Sequence, residues 1–503
     1  MSTRIEIYDT TLRDGAQGPG VKFSPDDQLH VVRELDQLGI AYIEGGQPGS
    51  NPKASELFTR TRDIELHHAK MVAFGSTRHI KSPVEKDANL RALLDAGTEV
   101  VTIFGKTSPM HVKEVLKISL EDNLTLISES VAYLVEQGRR VFLDAEHFFD
   151  GYCEDALYAQ AVLERAWNAG AEALVLCETN GGRLPHEVEA ITRAVREALP
   201  AITLGIHTHN DAGCAVANTL AAVRAGATQV QGTINGYGER TGNVNLSTVI
   251  PNLQIKMGCT VITAEQLSKL THVSHVVAEL ANMTPRDNDP FVGRDAFTHK
   301  GGMHADAIQK KKVSYEHIDP GLVGNATHIA VSEVSGRSSL MQKAAEFGIE
   351  LDRKMPETMQ ILARVKELEN MGYEFEGADA SLELIMRKAT GRYRHFFITE
   401  SFHATVNQLS PDQPVLSEAV VRLQLPDGRK PHTWAEGHGP VDALNIALRR
   451  ALEDSYPELQ NVHLKDYKVR IIDGKLATQA ATRVLIESSD GENMWNTVGV
   501  SEN

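Results

Sequence analysis

Gly205-Ile206-His207-Thr208-His209-Asn210-Asp211 follows the apolar and β-branched run Ala201-Ile202-Thr203-Leu204 and precedes Ala215 to Ala225, a small-residue segment with helical periodicity. This places the stretch at the carboxyl end of a strand. Alternate residues of a strand share a face, so His207 and His209 point the same way. Two imidazoles side by side at the mouth of a strand can clamp a divalent cation. The bland alternative is a pair of histidines hydrogen-bonded in a polar loop.

Working outward, short β-rich runs recur at Ile5–Tyr8, Ala41–Glu44, Met71–Phe74, Val100–Phe104, Val141–Leu143, Leu174–Leu176, Thr203–Ile206 and Val230–Ile234. Between them lie the helical stretches Pro25–Leu38, Val84–Ala96, Leu120–Glu136, Glu154–Ala169, Pro185–Leu199 and Cys214–Ala225. Gly39, Gly97, Gly138, Gly170 and Gly226 stand where a helix needs a left-handed residue to stop. Strand and helix in alternation imply a parallel sheet, and this many units point to a (β/α)8 TIM barrel, an α/β fold. A doubly wound open sheet is the alternative. However, the first strand–helix turn, Asp9 to Gly18, lacks the glycine spacing of a dinucleotide site.

A barrel gathers its chemistry where its strands end. Successive strands lead here to Arg13 and Asp14, to Glu44, to Lys106, to Glu146 and His147, to Glu178, Thr179 and Asn180, to His207 and His209, and to Glu239, Arg240 and Asn243. Polar loops are common, but here they concentrate at one face. The glycine-rich segment Gly236–Asn243 does not fit a nucleotide loop and reads as a tight turn holding Arg240 and Asn243 over the mouth.

The chain has 503 residues, enough for two or three domains, with 42% hydrophobic and 23% charged residues. A formal net charge of -16 argues against nucleic-acid or anionic-membrane binding, while leaving room for a local basic pocket. Its four cysteines, Cys153, Cys177, Cys214 and Cys259, form no C-x-x-C pair, as in a reduced cytosolic protein. The first residues run directly into a strand, with no signal peptide expected, and no apolar run approaches membrane-spanning length. The expected location is cytoplasmic.

From about residue 275 the alternation breaks. Thr284–Pro290 reads as a connector, and the lysines Lys310, Lys311 and Lys312 read as a solvated face. A helix is expected over Pro356 to Met371, with Gly372 ending it. Further on, Ala419–Arg429 looks like a strand and turn, a second strand follows, and Gly437–Ala443 opens an amphipathic helix to about Leu452. Strands recur at Arg483–Glu492 and Thr497–Asn503, a weak two-unit repeat whose second helix does not follow. Such a repeat suits a ligand-binding or dimerising module. The expected division is a catalytic barrel over 1–275, a helical linker region over 276–395, and an α+β regulatory domain over 396–503 without its last helix.

Tyr8-Asp9-Thr10-Thr11-Leu12-Arg13-Asp14-Gly15, Gly205–Asp211 and Gly236–Asn243 together resemble the three signatures of the isopropylmalate/homocitrate/citramalate synthase family. Glu44-Gly45-Gly46, Pro48–Lys53, Ala145–Tyr152 and Tyr315–Pro320 look most like its citramalate branch, and the likeness spans essentially the whole chain. The resemblance implies a homodimer of barrels with linkers and regulatory domains. It also implies condensation of acetyl-CoA with a 2-oxo acid, pyruvate in this branch, releasing CoA on the way to isoleucine. By matching positions, Asp14, His207 and His209 would hold a divalent metal (Mn²⁺, Mg²⁺ or Zn²⁺) with Asn243 beside it. Arg13 would meet the oxo-acid carbonyl and Thr179 its carboxylate, with Glu44 and Lys106 also lining the substrate. Glu146 is the candidate base, and His304 and Tyr315 from the partner subunit would serve acetyl-CoA. Lys310–Lys312 then become a candidate anchor for the CoA phosphates, and isoleucine a candidate effector.

The chemistry of these residue types agrees. A cation polarises a carbonyl, a guanidinium steadies the oxyanion, and a thioester methyl group needs a placed base. Four positions depart from the branch's usual residues: Gln47 and Ser108 replace Trp, Glu178 replaces Asp, and Thr241 replaces Cys. The first two are expected to enlarge or rewet the pocket. Two other readings compete, a lyase or aldolase on the same barrel and a non-catalytic amino-acid sensor that keeps the barrel as scaffold.

Overall fold

Eight parallel strands close into a barrel: β1 (Glu6–Asp9), β2 (Tyr42–Gly46), β3 (Lys70–Ser76), β4 (Val100–Lys106), β5 (Arg140–Glu146), β6 (Ala173–Glu178), β7 (Thr203–Thr208) and β8 (Gln229–Gly232). β8 returns to β1, with Glu6 opposite Gln229 and Asp9 opposite Gly232. This computed structural model describes the chain except residues 1, 51, 63, 300–303, 305–306, 309–310, 312–313, 330–336, 353, 376, 409–414, 473–479 and 502–503.

The two-residue period of each strand sorts its side chains. On β5, Val141, Leu143 and Ala145 join the large core shared with the helices. Phe142, on the other face, joins Tyr8, Tyr42, Val72, Val100 and Ala173 in a separate cluster that fills the floor of the barrel. One layer nearer the mouth the inward positions turn polar, and Glu44, Thr102, Asp144 and Gln231 are all buried there. The fold thus carries an apolar floor and a polar upper layer, as a barrel with chemistry at its carboxyl end requires.

Helix ends follow local chemistry. Ser24 accepts from the Asp27 amide while Asp27 accepts from the Ser24 amide, a capping box that starts Pro25–Leu38. Gly39, Gly97, Gly138, Gly170 and Gly226 all take positive φ, as their stop positions demand. One expected helix is divided. Val84–Ala96 becomes a 3₁₀ turn, Val84–Lys86, and a helix, Ala88–Asp95, because the Asp87 carboxylate caps the amides of Asn89 and Leu90. The helix expected over Glu154–Ala169 starts at Ala156, where Asp155 caps it by accepting from the Tyr158 amide, and a separate helix, Phe148–Glu154, precedes it. The helix Pro52–Thr61 has no counterpart in the sequence reading, since prolines and glycines crowd its approach.

Asp9, at the end of β1, is wholly buried and accepts from the Thr11 amide at 2.9 Å and hydroxyl at 2.8 Å. Burial pushes its carboxyl up to about 7. The folded value exceeds the unfolded one of about 3.9. The native state therefore binds the extra proton, and this contribution is full below about pH 4 and lost as pH rises through about 7. Denaturant unfolding across that window should show stability falling with pH, and Asp9→Asn should flatten the slope.

The chain divides into two compact units, residues 1–297 with 318–327, and residues 298–317 with 328–503. The first extends past residue 275 because Phe291, Val292, Phe297, Ile318 and Val323 pack into the barrel's core. In the second, the helices Arg337–Glu346, Pro356–Asn370 and Asp379–Ala389 share a core that includes Leu340, Ile361, Phe375 and Leu382. Two three-stranded antiparallel sheets then follow, Ile398–Asn407 with Leu416–Gln424 and His432–Gly437, and His463–Ile471 with Thr482–Ser489 and Met494–Ser501. The helix Pro440–Leu452 packs on the first through Ala443, Ala447 and Ala451. The repeat therefore has three strands per half, not two. Its opening strands escape the sequence reading because they bury almost nothing: Ile398–Asn407 is mostly exposed and His463–Ile471 exposed throughout. No helix among the described residues is long and apolar enough to cross a membrane.

Candidate active site

At the mouth of the barrel, Asp14 after β1 and His207 and His209 at the end of β7 bring one ligand atom each within 4.8 Å of one another. All three are buried, and they are the only such group among the described residues. Asn243 joins them, donating from Nδ2 to Asp14 Oδ1 at 3.0 Å. Their protonation suits a cation. Burial opposes ionisation of Asp14, but Arg13, His207 and His209 outweigh it and hold the carboxyl below its ordinary range. Burial, with His207 adding, lowers His209 to about 4, so it presents a neutral imidazole. His209 Nδ1 and Asn243 Oδ1 are buried with no hydrogen-bond partner. A divalent ion bound here would use such donors, and two imidazoles with one carboxylate leave positions open for oxygen ligands.

Arg13 lies against this group. Its Nη1 donates to Asp14 Oδ2 at 2.8 Å, its Nε donates to Glu44, and its guanidinium stacks 3.9 Å above the Phe74 ring. Glu44 is wholly buried, and its second oxygen accepts from the Tyr8 hydroxyl. With both oxygens taken, Glu44 stands behind Arg13 as its orienting partner, which corrects the expectation that it lines the substrate. A cavity of about 320 Å³ opens beside Arg13, and Gln17, Gln28, Gln47, Lys53 and Phe74 are among its walls.

Lys106 at the end of β4 and Glu146 at the end of β5 sit opposite each other in the ladder and form an ion pair. The Glu146 carbonyl is held by the Thr107 amide and hydroxyl. The next residue, His147, takes a left-handed conformation (φ 58°), uncommon for a residue with a Cβ and often found at functional sites. That twist aims the His147 amide at Thr179 Oγ1, 2.8 Å away, so the Thr179 hydroxyl proton remains available to another acceptor. The His147 ring stacks on His111 at 3.8 Å. Cys177 on β6 lies among these groups, its thiol pushed well up by burial, with Asp144 and Glu146 adding.

The turn over Gly236–Asn243 is tight, with positive φ at Gly236, Gly238, Arg240 and Gly242. It presents Asn243 to the site as expected. Arg240 instead donates to Asp211 at 2.8 Å and to the Thr179 carbonyl at 2.8 Å, tying three loops together and not reaching the ligand group. At Gly242 (φ 93°) a Cβ would run into the Gly236 carbonyl oxygen. Gly242→Ala should therefore cost about 1–3 kcal/mol, read as a lowered thermal midpoint, and should loosen Asn243.

Of the two tryptophan replacements, Gln47 lines the cavity, whereas Ser108 is fully buried and donates to Glu154 Oε2 at 2.9 Å. Ser108 is not among the walls of that cavity. Glu178 turns away too, accepting from the amides of Gly182 and Arg183, and burial raises its carboxyl to about 7. In the second unit, the rings of His304 and Tyr315 stack at 4.1 Å, and both residues are exposed. Lys311 is exposed, while Lys310 and Lys312 lie outside the described residues. Sequence reasoning missed Tyr8, Asp144 and Gln231. The period-2 pattern places Asp144 on the face of Glu146, a signal that was present, but the other two are recognised only by their partners.

Residues 4–277 match the HMGL-like family, 291–372 the homocitrate synthase post-HMGL domain-like family, and 376–503 the LeuA allosteric (dimerisation) domain. A barrel with this buried carboxylate and histidine pair at its mouth is, in this chain, that of an HMGL-like protein. The (R)-citramalate synthase of Aquifex aeolicus is 50% identical over 503 residues, spanning 100% of this chain and 95% of that protein. Those of Synechocystis sp. and Geobacter sulfurreducens are each 51% identical, spanning 100% and 99% of this chain and 93% and 94% of theirs. Within the HMGL-like proteins, the chain belongs to the (R)-citramalate synthase family.

Proposed function

We propose that this protein condenses acetyl-CoA with pyruvate and hydrolyses the adduct to (R)-citramalate and CoA. The observation that carries the reading is the buried Asp14–His207–His209 group with Arg13 hydrogen-bonded to it. Asp14, His207 and His209 would hold a divalent cation, which would supply Lewis acidity at the 2-oxo acid's carbonyl. Arg13, locked by Glu44 and Phe74, donates to the oxygen on which negative charge grows. The Thr179 hydroxyl donates to the substrate carboxylate. Glu146 removes a proton from the acetyl methyl group, whose carbon then bonds to the oxo-acid carbonyl carbon. The new alkoxide gains a proton, water cleaves the thioester, and CoA leaves as the thiol. Lys106, ion-paired with Glu146, keeps that carboxylate aimed.

Within the same reading, residues 1–275 form the catalytic region, 276–395 a linker and 396–503 a regulatory domain. The LeuA-type terminal domain supports a homodimer and a small effector such as isoleucine. His304 and Tyr315 serve acetyl-CoA from the second subunit. A cytoplasmic enzyme of isoleucine biosynthesis fits the composition.

A thiol-release assay with acetyl-CoA, Mn²⁺ or Mg²⁺, and a panel of 2-oxo acids tests the proposal. Release with pyruvate is the expected result. Preference for a longer or more polar acid would move the reaction elsewhere in the family, with Gln47 the first residue to exchange. Silence with every acid would defeat the synthase reading and turn attention to carbon–carbon cleavage. Arg13→Lys should lower kcat by about 10²–10³-fold, since a lysine has one point of charge where Glu44, Asp14 and substrate need three donors.

A further inference from the structure

His207 can serve a cation only through a ring nitrogen that carries no proton, and nothing in an imidazole by itself decides which nitrogen that is. Here two side chains outside the ligand set make the choice. His207 on β7 stands opposite Gln231 on β8 in the parallel ladder, and His207 Nδ1 lies 2.9 Å from Gln231 Oε1. Gln231 Nε2 in turn donates to Asp144 Oδ1 at 3.0 Å. His207 is 4% exposed, Gln231 0% and Asp144 3%, so no bulk water can substitute in this chain of contacts.

We infer that Asp144, acting through Gln231, is a positioning residue that sets the tautomer of His207 for cation binding. The inference rests on the proposed metal reading of the Asp14–His207–His209 group.

Gln231 Nε2 donates to Asp144 Oδ1, and that bond holds the NH₂ end of the amide toward Asp144. The carbonyl end must then face His207, and Nδ1 must carry the proton. The lone pair is left on Nε2, the nitrogen that faces Asp14 Oδ2 at 3.6 Å. Without Asp144 the amide is free to turn over. Its NH₂ would then donate to Nδ1, the proton would move to Nε2, and the ligand nitrogen would be blocked. A buried donor or acceptor left unpaired is unfavourable enough to select one tautomer over the other. Nothing in this role requires Asp144 to touch substrate.

The test is Mn²⁺ binding to the full-length protein without substrates, followed by the electron paramagnetic resonance of free Mn²⁺. Asp144→Leu and Gln231→Leu should each weaken Mn²⁺ by about 10–100-fold, the usual effect of removing a ligand's hydrogen-bond partner. Asp144→Asn, which keeps an accepting oxygen, should stay within about threefold of the parent. Either leucine variant, folded by circular dichroism and binding Mn²⁺ like the parent, would overturn the inference. So would an asparagine variant as weak as the leucine one, because charge and not acceptor geometry would then be responsible. Should one leucine variant fail to fold, the other still decides. His207→Ala distinguishes failure of the tautomer inference from failure of the metal reading: if it binds Mn²⁺ as the parent does, the metal reading itself fails.

Discussion

Asp14→Ala should abolish CoA release, leaving less than about a thousandth of the parent rate, and should weaken Mn²⁺ binding in parallel. Two roles fall at once. The substitution removes the only anionic member of the ligand group and also one of the two carboxylates that hold the Arg13 guanidinium. Losing a placed oxyanion donor alone costs about 10²–10³ in kcat, and losing the cation's Lewis acidity compounds it. The thermal midpoint should fall, since Arg13 and Asn243 lose the buried carboxylate that they donate to and that their side of the site stabilises. Chelation of the parent with EDTA should reproduce the loss, and added Mn²⁺ or Mg²⁺ should restore the parent but not the variant. Turnover above a tenth of the parent rate in Asp14→Ala would remove the cation from the mechanism.

Glu146→Gln is the second large effect. The isosteric amide keeps the contact with Lys106 and the ladder position opposite it, yet it has no basic oxygen to accept a methyl proton. The expected fall in kcat is about 10²–10⁴-fold, with the acetyl-CoA KM nearly constant. Exchange of the acetyl methyl hydrogens in deuterated water, measured with the 2-oxo acid present, reads the same step without waiting for thioester hydrolysis. If exchange persists while CoA release stops, Glu146 acts in hydrolysis and another group is the base.

Much of this site is legible in sequence because its residues sit at strand ends, and strand ends are announced locally. His207 and His209 share a face by the period of the strand alone, Arg13 and Asp14 follow β1 at once, and Asn243 lies in a turn marked by its glycines. What sequence cannot show is the state of each side chain after closure. Glu44 looks like a pocket residue at the end of β2 until Tyr8 and Arg13 are found occupying both its oxygens. Ser108 looks like a pocket residue until Glu154 takes its hydroxyl. Arg240 looks like a donor at the mouth until Asp211 claims it.

By itself, then, the sequence determined the alternation of strand and helix, the glycine stops and the face on which the candidate ligands lie. These depend on backbone conformations set by a residue and its near neighbours. Only the tertiary structure decided that Gln231 stands beside His207 and that Asp144 reaches Gln231. It also decided that Asn243 meets Asp14 across 229 positions of chain. Such pairs exist because the barrel closes with one particular register between strands distant in sequence. That register is settled by the summed packing of the whole interior, which no local stretch encodes.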